Sequence, residues 1–219
     1  RVIGHVRGCP GDIGFLGIGE VREIAYYGFA AALNQFSGYI MSWTDTLVLA
    51  YYATSPIVAA YNAMLSIART VVHTVAGQIF LVLTSMLAHL HGAKSGIFGP
   101  LAGNAARWNL YLTLPPAILG VFFAKQGVEI FFPVYAQYYW LLYAFIPGFF
   151  VAIFSFPARS ALSAVGRTDL LFKSTLVGII PNVALNLMLV PAYGMPGAVL
   201  AIIASTIMSE LVAIFYAVR

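Results

Sequence analysis

Two residues of opposite charge, Asp45 and Arg69, stand inside long apolar runs on either side of the turn-forming Thr54-Ser55-Pro56. An ionisable group in such a run faces a partner or a cavity rather than hydrocarbon, where charge is expensive. At 1.5 Å per helical residue, Asp45 lies ~15 Å below the turn and Arg69 ~20 Å below it, so antiparallel neighbours bring acid and base to similar depth. Two readings follow: a charged lining for a transported solute, or a buried ion pair that fixes helix packing and by itself says little about net stability. Both residues belong to polar stripes at helical spacing. Asn62, Ser66, Arg69 and His73 share one face, Asn34, Gly38, Ser42 and Asp45 share another, and Asn182 and Asn186 are four apart. Three stripes converging in an apolar bundle predict a water-filled cavity.

Each residue also has a plainer role. His73 titrates near neutral pH and suits proton transfer, yet a hydrogen-bonded interior histidine looks the same in sequence. Asn182 and Asn186 could simply bond neighbouring helices, at ~0.6 kcal/mol each. Glu210 fits the cytoplasmic interface, and Arg159 could snorkel there. Catalytic signatures are missing from the sequence. His5, His73, His89 and His91 lack metal-ligand spacing with nearby acids, and no GxSxG or GxxxxGK[ST] segment occurs. No metal, cofactor or enzymatic reaction is expected, and a gradient or the solute's own concentration difference would drive any transport.

The elements that position these residues are membrane helices. Of 219 residues, 61% are hydrophobic and 8% charged, against about a quarter charged in soluble domains. The net charge of +4 falls in loops, and no basic cluster with interleaved aromatics points to nucleic acid. The single cysteine, Cys9, excludes an internal disulfide. The chain reads as an all-α membrane protein with six transmembrane helices. Residues 1–25 form a glycine-rich cytoplasmic or interfacial lead-in, followed by spans at about 26–53, 57–88, 108–124, 134–165, 170–190 and 195–218.

His89 to Arg107 reads as a surface connector, Lys125 to Pro133 as an exit loop, and Arg159 to Lys173 as a charged connector. Pro191 to Gly197 is an outer turn, with Pro115-Pro116 kinking the third span and Pro147 and Pro157 interrupting the fourth. Lys and Arg collect in alternate loops, so both termini are expected in the cytoplasm. Tyr and Trp gather near the expected span ends among membrane lipids.

Several short segments carry a resemblance. Gly166-Arg167-Thr168, Pro181-Asn182, Asn186, Pro191-Ala192-Tyr193-Gly194 and Gly197-Ala198 occur in an order similar to the C-terminal lobe of the polysaccharide, or O-antigen-type, flippases. That family belongs to the multidrug/oligosaccharidyl-lipid/polysaccharide (MOP) exporter superfamily. Asp45 to Leu49, Val58 to Asn62 and Ile67-Ala68 resemble the opening two helices of such a lobe, and Phe132, Tyr135 and Tyr143 resemble a later region, with Pro133 where a Gly is common. The resemblance spans about residues 24–218.

It implies one six-helix lobe of a flippase in a bacterial or archaeal cytoplasmic membrane, moving a polyprenyl-pyrophosphate-linked oligosaccharide by alternating access. An N-terminal lobe or a second copy would complete the pathway, since the family is about twice this length and the chain begins at Arg1 without a Met or signal peptide. Arg69, with Arg159 and Arg107, would contact the pyrophosphate, and Asp45 and His73 would modulate Arg69 or couple protonation. A multidrug exporter of organic cations and a non-transporting assembly partner remain as alternatives.

Overall fold

The computed structural model describes residues 18–92 and 98–218. They form seven α-helices: α1 (Ile18–Tyr52), α2 (Ser55–Gly92), α3 (Phe98–Phe122), α4 (Ala124–Phe131), α5 (Trp140–Ala164), α6 (Thr168–Tyr193) and α7 (Met195–Val218). A short 3-10 helix, Pro133–Tyr138, joins α4 to α5. Among the described residues α5, α6 and α7 are each long and apolar enough to cross a membrane, and the α3–α4 pair, bent by 66° at its break, could count as a fourth crossing. Three crossings, or four with the bent pair, thus stand where the sequence reading expects six. α1 lies outside this set because Asn34, Gln35, Ser37, Ser42, Thr44, Asp45 and Thr46 interrupt its apolar run. Large apolar side chains such as Trp108, Phe122, Ile180 and Met188 point outward on several helices. Outer faces of this kind mark a chain embedded in lipid.

The α6–α7 hairpin is the most extensive contact. α1 packs on α6, α2 on α5, and α5 on α7, while α3 covers α2 and α5. α1 and α2, consecutive in sequence, touch each other only slightly. A core of Leu49, Tyr61, Met64, Leu141, Phe145 and Val190 gathers near the α1–α2 and α6–α7 turns.

Several boundaries differ from those the sequence suggests. The Pro191 to Gly197 turn contracts to Gly194 alone, whose φ of 60° and ψ of −131° suit glycine. The Arg159 to Lys173 connector is confined to residues 165–167, so Arg159 and Lys173 are helical. The Lys125 to Pro133 loop is instead mostly α4, which buries Ala124 and Val128 and sets Lys125 3.8 Å from Glu129 on its outer side. α1 begins at Ile18, ahead of Tyr26. The connector expected over His89 to Arg107 is helical to Gly92 and again from Phe98; Lys94 and Gly96 lie outside the described residues, as do Arg1, His5, Arg7 and Cys9.

The prolines explain the largest difference. α3, α5 and α6 run through Pro115-Pro116, Pro147, Pro157, Pro181 and Pro191 without breaking. Proline cannot donate to the carbonyl four residues earlier, and an apolar surrounding leaves that carbonyl no water, so another group must satisfy it. At Pro157 the freed carbonyl belongs to Ile153, and the Nδ2 of fully buried Asn109 on α3 donates to it at 2.9 Å. Asn109→Leu should therefore lower stability by about 1–3 kcal/mol, the usual cost of leaving one buried acceptor without a donor. Thermal unfolding in detergent checks this, and an unchanged Tm would show that the carbonyl finds another donor.

Candidate functional site

The polar residues of the sequence stripes separate into two neighbouring groups. The first is a buried cluster around Asp45, which is 0% exposed. Its Oδ1 accepts from Asn182 Nδ2 at 3.0 Å and from Asn186 Nδ2 at 2.6 Å, and its Oδ2 accepts from the Tyr61 hydroxyl at 3.4 Å. Asn182 Nδ2 also lies 3.1 Å from Ser205 Oγ, which itself donates back to the α7 carbonyls of Ala201 and Ile202. One carboxylate thus ties α1 to α2 and α6, and through Asn182 to α7. The spacing of Asn182 and Asn186 explains the two-donor grip: residues four apart stack on one face of α6, and that face meets α1. The outer oxygens of both amides are buried without a partner among the described residues.

This arrangement corrects the expected ion pair. Arg69 lies outside ion-pair distance of Asp45; among the described residues the ion pairs are Lys125–Glu129, Arg159–Glu210 and Arg167–Asp169. The reason is topological, since α1 turns its Asp45 face to α6 while α2 packs on α5.

The second group lines a cavity of about 280 Å3 bounded by α1, α2, α5, α6 and α7. α1 contributes Asn34, Gln35, Gly38 and Ser42, about one to three turns further from the α1–α2 loop than Asp45. α2 contributes Arg69, half-buried. α5 adds Ser155 and Arg159, and α7 adds Thr206, Ser209 and Glu210. Thr175 of α6 donates to Asn34 Oδ1 at 3.0 Å across the α1–α6 seam. Arg159 Nη1 donates to Glu210 Oε2 at 3.2 Å, and the Ser155 hydroxyl donates to the same oxygen. Arg159 and Glu210, read singly in the sequence as interfacial charges, form a partly buried pair, with side chains 21% and 15% exposed.

The volume is near the lower end of ligand pockets, about 300–1,000 Å3, and suits a headgroup-sized solute. Among the described residues its lining carries two guanidinium groups, several hydroxyl and amide groups and one acid, Glu210, which is bonded to Arg159. A second, almost wholly apolar groove of about 260 Å3 between α2, α3, α4 and α5 shares Phe149 with this cavity.

Of the residues singled out in the sequence, Arg69 and Arg159 line the cavity together with the Asn34, Gly38 and Ser42 part of the α1 stripe. Asp45, Asn182 and Asn186 form the buried cluster instead. Asn62 turns to α1, where its Oδ1 accepts from Thr46 at 2.7 Å and its Nδ2 donates to Val58 O. Ser66 and Arg107 are exposed. His73 sits on α2, but its side chain lies outside the described residues.

Ser155, Thr175, Tyr61 and Ser205 are additions. Ser155 precedes Arg159 by one helical repeat of four, and Thr175 precedes Asn182 by seven, so i, i+4 and i, i+7 spacing inside apolar runs carried the signal. Ser205 has the same spacing with Ser209 on α7, whereas no such pattern marks Tyr61. Among the described residues no group of three His, Cys, Asp or Glu side chains could hold a metal.

Asn186→Leu should remove one of the three donors to a buried carboxylate and destabilise the chain by about 1–3 kcal/mol or more. Denaturant unfolding in detergent measures it; a loss below ~0.5 kcal/mol would mean the Asp45 cluster contributes little to folding.

No protein-family model, curated protein or solved structure matches the chain significantly.

Proposed function

We propose that the chain is one lobe of a flippase that carries a polyprenyl-pyrophosphate-linked oligosaccharide across a bacterial or archaeal cytoplasmic membrane by alternating access. The observation that carries this reading is the pair of guanidinium groups, Arg69 and Arg159, lining one headgroup-sized cavity in an otherwise apolar bundle. Guanidinium presents planar, paired donors that match phosphate oxygens, and it keeps its charge at any physiological pH. Arg159 already has Glu210 as a partner, whereas Arg69 has no acid within ion-pair distance among the described residues, and an anionic solute would supply one. The apolar groove that meets the cavity at Phe149 agrees with a lipid-linked rather than a free solute.

In this reading α1, α2, the bent α3–α4 pair, α5, α6 and α7 make six crossings, with both termini in the cytoplasm by the distribution of Lys and Arg. Arg69 and Arg159 bind the pyrophosphate, with Ser42, Ser155 and Thr206 adding neutral donors. Asp45, Asn182 and Asn186 hold α1 against α6 and so fix one wall of the cavity. Rocking this lobe against an N-terminal lobe or a second copy would move the opening while the site stays near the midplane.

An exporter of organic cations from the same superfamily is the second reading. It draws on the many aromatic residues, but Glu210, the acid that lines the cavity, is committed to Arg159. The third reading, a non-transporting assembly partner, makes the cavity incidental.

Charge substitution at Arg69 separates the three. Arg69→Ala should reduce glycan export at least tenfold, taking the lost charge-assisted bond as about 1.5–3 kcal/mol, while insertion stays normal. Arg69→Asp should be worse still for an anion carrier and milder for a cation exporter. Export and membrane insertion are measured together in cells. Wild-type export by both variants would remove the anion site, and a milder effect of Asp than of Ala would favour the cation exporter.

A further inference from the structure

The cavity carries its own anion. Glu210 reaches from α7 to the guanidinium of Arg159 on α5, and its Oε2 takes both the Arg159 Nη1 and the Ser155 hydroxyl. Ser155 is itself nearly buried and also lies within hydrogen-bond distance of Ala152 O, so the α5 backbone and Glu210 together define where that hydroxyl sits. Three features of this triad are unlike an ordinary interfacial salt bridge. Both charged side chains line the cavity, the acceptor oxygen is shared by a charged and a neutral donor, and the other lining cation, Arg69, has no acid within ion-pair distance among the described residues.

We propose that Glu210 is a displaceable counter-ion: its carboxylate occupies, in the empty cavity, the position on Arg159 and Ser155 that a phosphate oxygen takes when an anionic headgroup binds. The inference rests on the anion-binding reading above and assigns a specificity residue to that site. A carboxylate and a phosphate present the same kind of oxygen acceptor to guanidinium and hydroxyl donors, so one substitutes for the other without rearranging α5.

The exchange has two consequences. With Glu210 in place the empty cavity does not leave two bare guanidinium groups together out of water, which keeps α5 and α7 in contact. The incoming group must also displace a carboxylate, so a weak monovalent anion competes poorly while a diphosphate, bonded at the same time by Arg69, competes well. Glu210 thereby trades affinity for selectivity and for release.

Four full-length proteins in lipid nanodiscs test this: wild type, Glu210→Gln, Arg159→Gln and the double variant. Inorganic pyrophosphate and farnesyl diphosphate are the probes, with titration calorimetry as readout. Gln keeps the size of Glu and an amide oxygen that accepts from Ser155 and Arg159, and thermal unfolding establishes that each variant is folded before it is titrated.

Removing one like charge beside the bound anion should make Glu210→Gln bind pyrophosphate about tenfold more tightly. Discrimination against monovalent phosphate should fall at the same time. Arg159→Gln should bind more weakly than wild type, and the double variant should match Arg159→Gln, because the carboxylate acts through Arg159. Equal or weaker binding by Glu210→Gln, or a gain that persists in the double variant, would overturn the counter-ion.

The two probes separate this from the flippase reading. If Glu210→Gln tightens inorganic pyrophosphate while farnesyl diphosphate binds no better than pyrophosphate, the counter-ion stands and the lipid-linked substrate falls. Tighter binding of farnesyl diphosphate with no effect of Glu210→Gln has the opposite meaning. Absence of binding to all four proteins overturns both.

Discussion

A carboxylate with no cation within ion-pair distance is buried inside the helix bundle, and the packing of four helices follows from what it needs. Asp45 is fully buried, so its negative charge must be met by hydrogen-bond donors from the neighbouring helices. α6 supplies two amides and α2 a phenol, while α7 enters through Ser205 on the second side of Asn182. Those bonds draw α1 to α6 and away from most of α2, and α2 packs on α5 instead. The cavity lies in the space left between α1, α5 and α7, with Arg69 entering from α2 and Thr175 from α6. Burying a polar group where lipid surrounds the protein thus decides both which helices touch and where they leave room.

The same constraint governs the prolines. In water a proline inside a helix usually ends it, because the orphaned carbonyl and the ring clash outweigh what continued helix would contribute. In hydrocarbon, ending the helix would expose more unpaired backbone than the proline does, so the helix continues and the orphan is answered from outside. Asn109 answers Ile153 in this way. Turn-forming residues consequently mislead where they fall within an apolar run. Pro147, Pro157 and Pro191 lie inside helices, whereas Gly194 and Gly166, with φ of 60° and 75°, mark the turns.

Helix content, the positions of most helices and the identity of the polar interior residues were legible in the sequence, because apolar runs and their polar exceptions are local properties. Their grouping was not. Spacing gives the face of a helix on which a residue lies, but not which neighbour that face meets. Asp45 and Arg69 stand at comparable depth, as the rise per residue requires, yet α1 presents Asp45 to Asn182 and Asn186 across 137 and 141 residues of sequence. Arg159 and Glu210, 51 residues apart, each look like an interfacial charge when taken singly. Their partly buried pairing exists only once α5 lies against α7. The α4 helix was hidden for a different reason: its short amphipathic run, Lys125 to Glu129, is as polar on one side as a loop.

α5 is where structural and chemical demands meet. Pro157 stands between Ser155 and Arg159, so the backbone bond missing at Ile153 O lies within one turn of the two cavity donors. Two side chains from other helices flank that weak point: Asn109 of α3 on the missing bond itself, and Glu210 of α7 on Ser155 and Arg159. A regular helix would hold Arg159 by its own hydrogen-bond ladder. Here the ladder is broken beneath it, and its position depends on contacts that α3 and α7 provide. The direction in which the guanidinium points is therefore set by tertiary packing and by the charge opposite it. A change in either alters the anion-binding face of the cavity without any change in the helix that carries it.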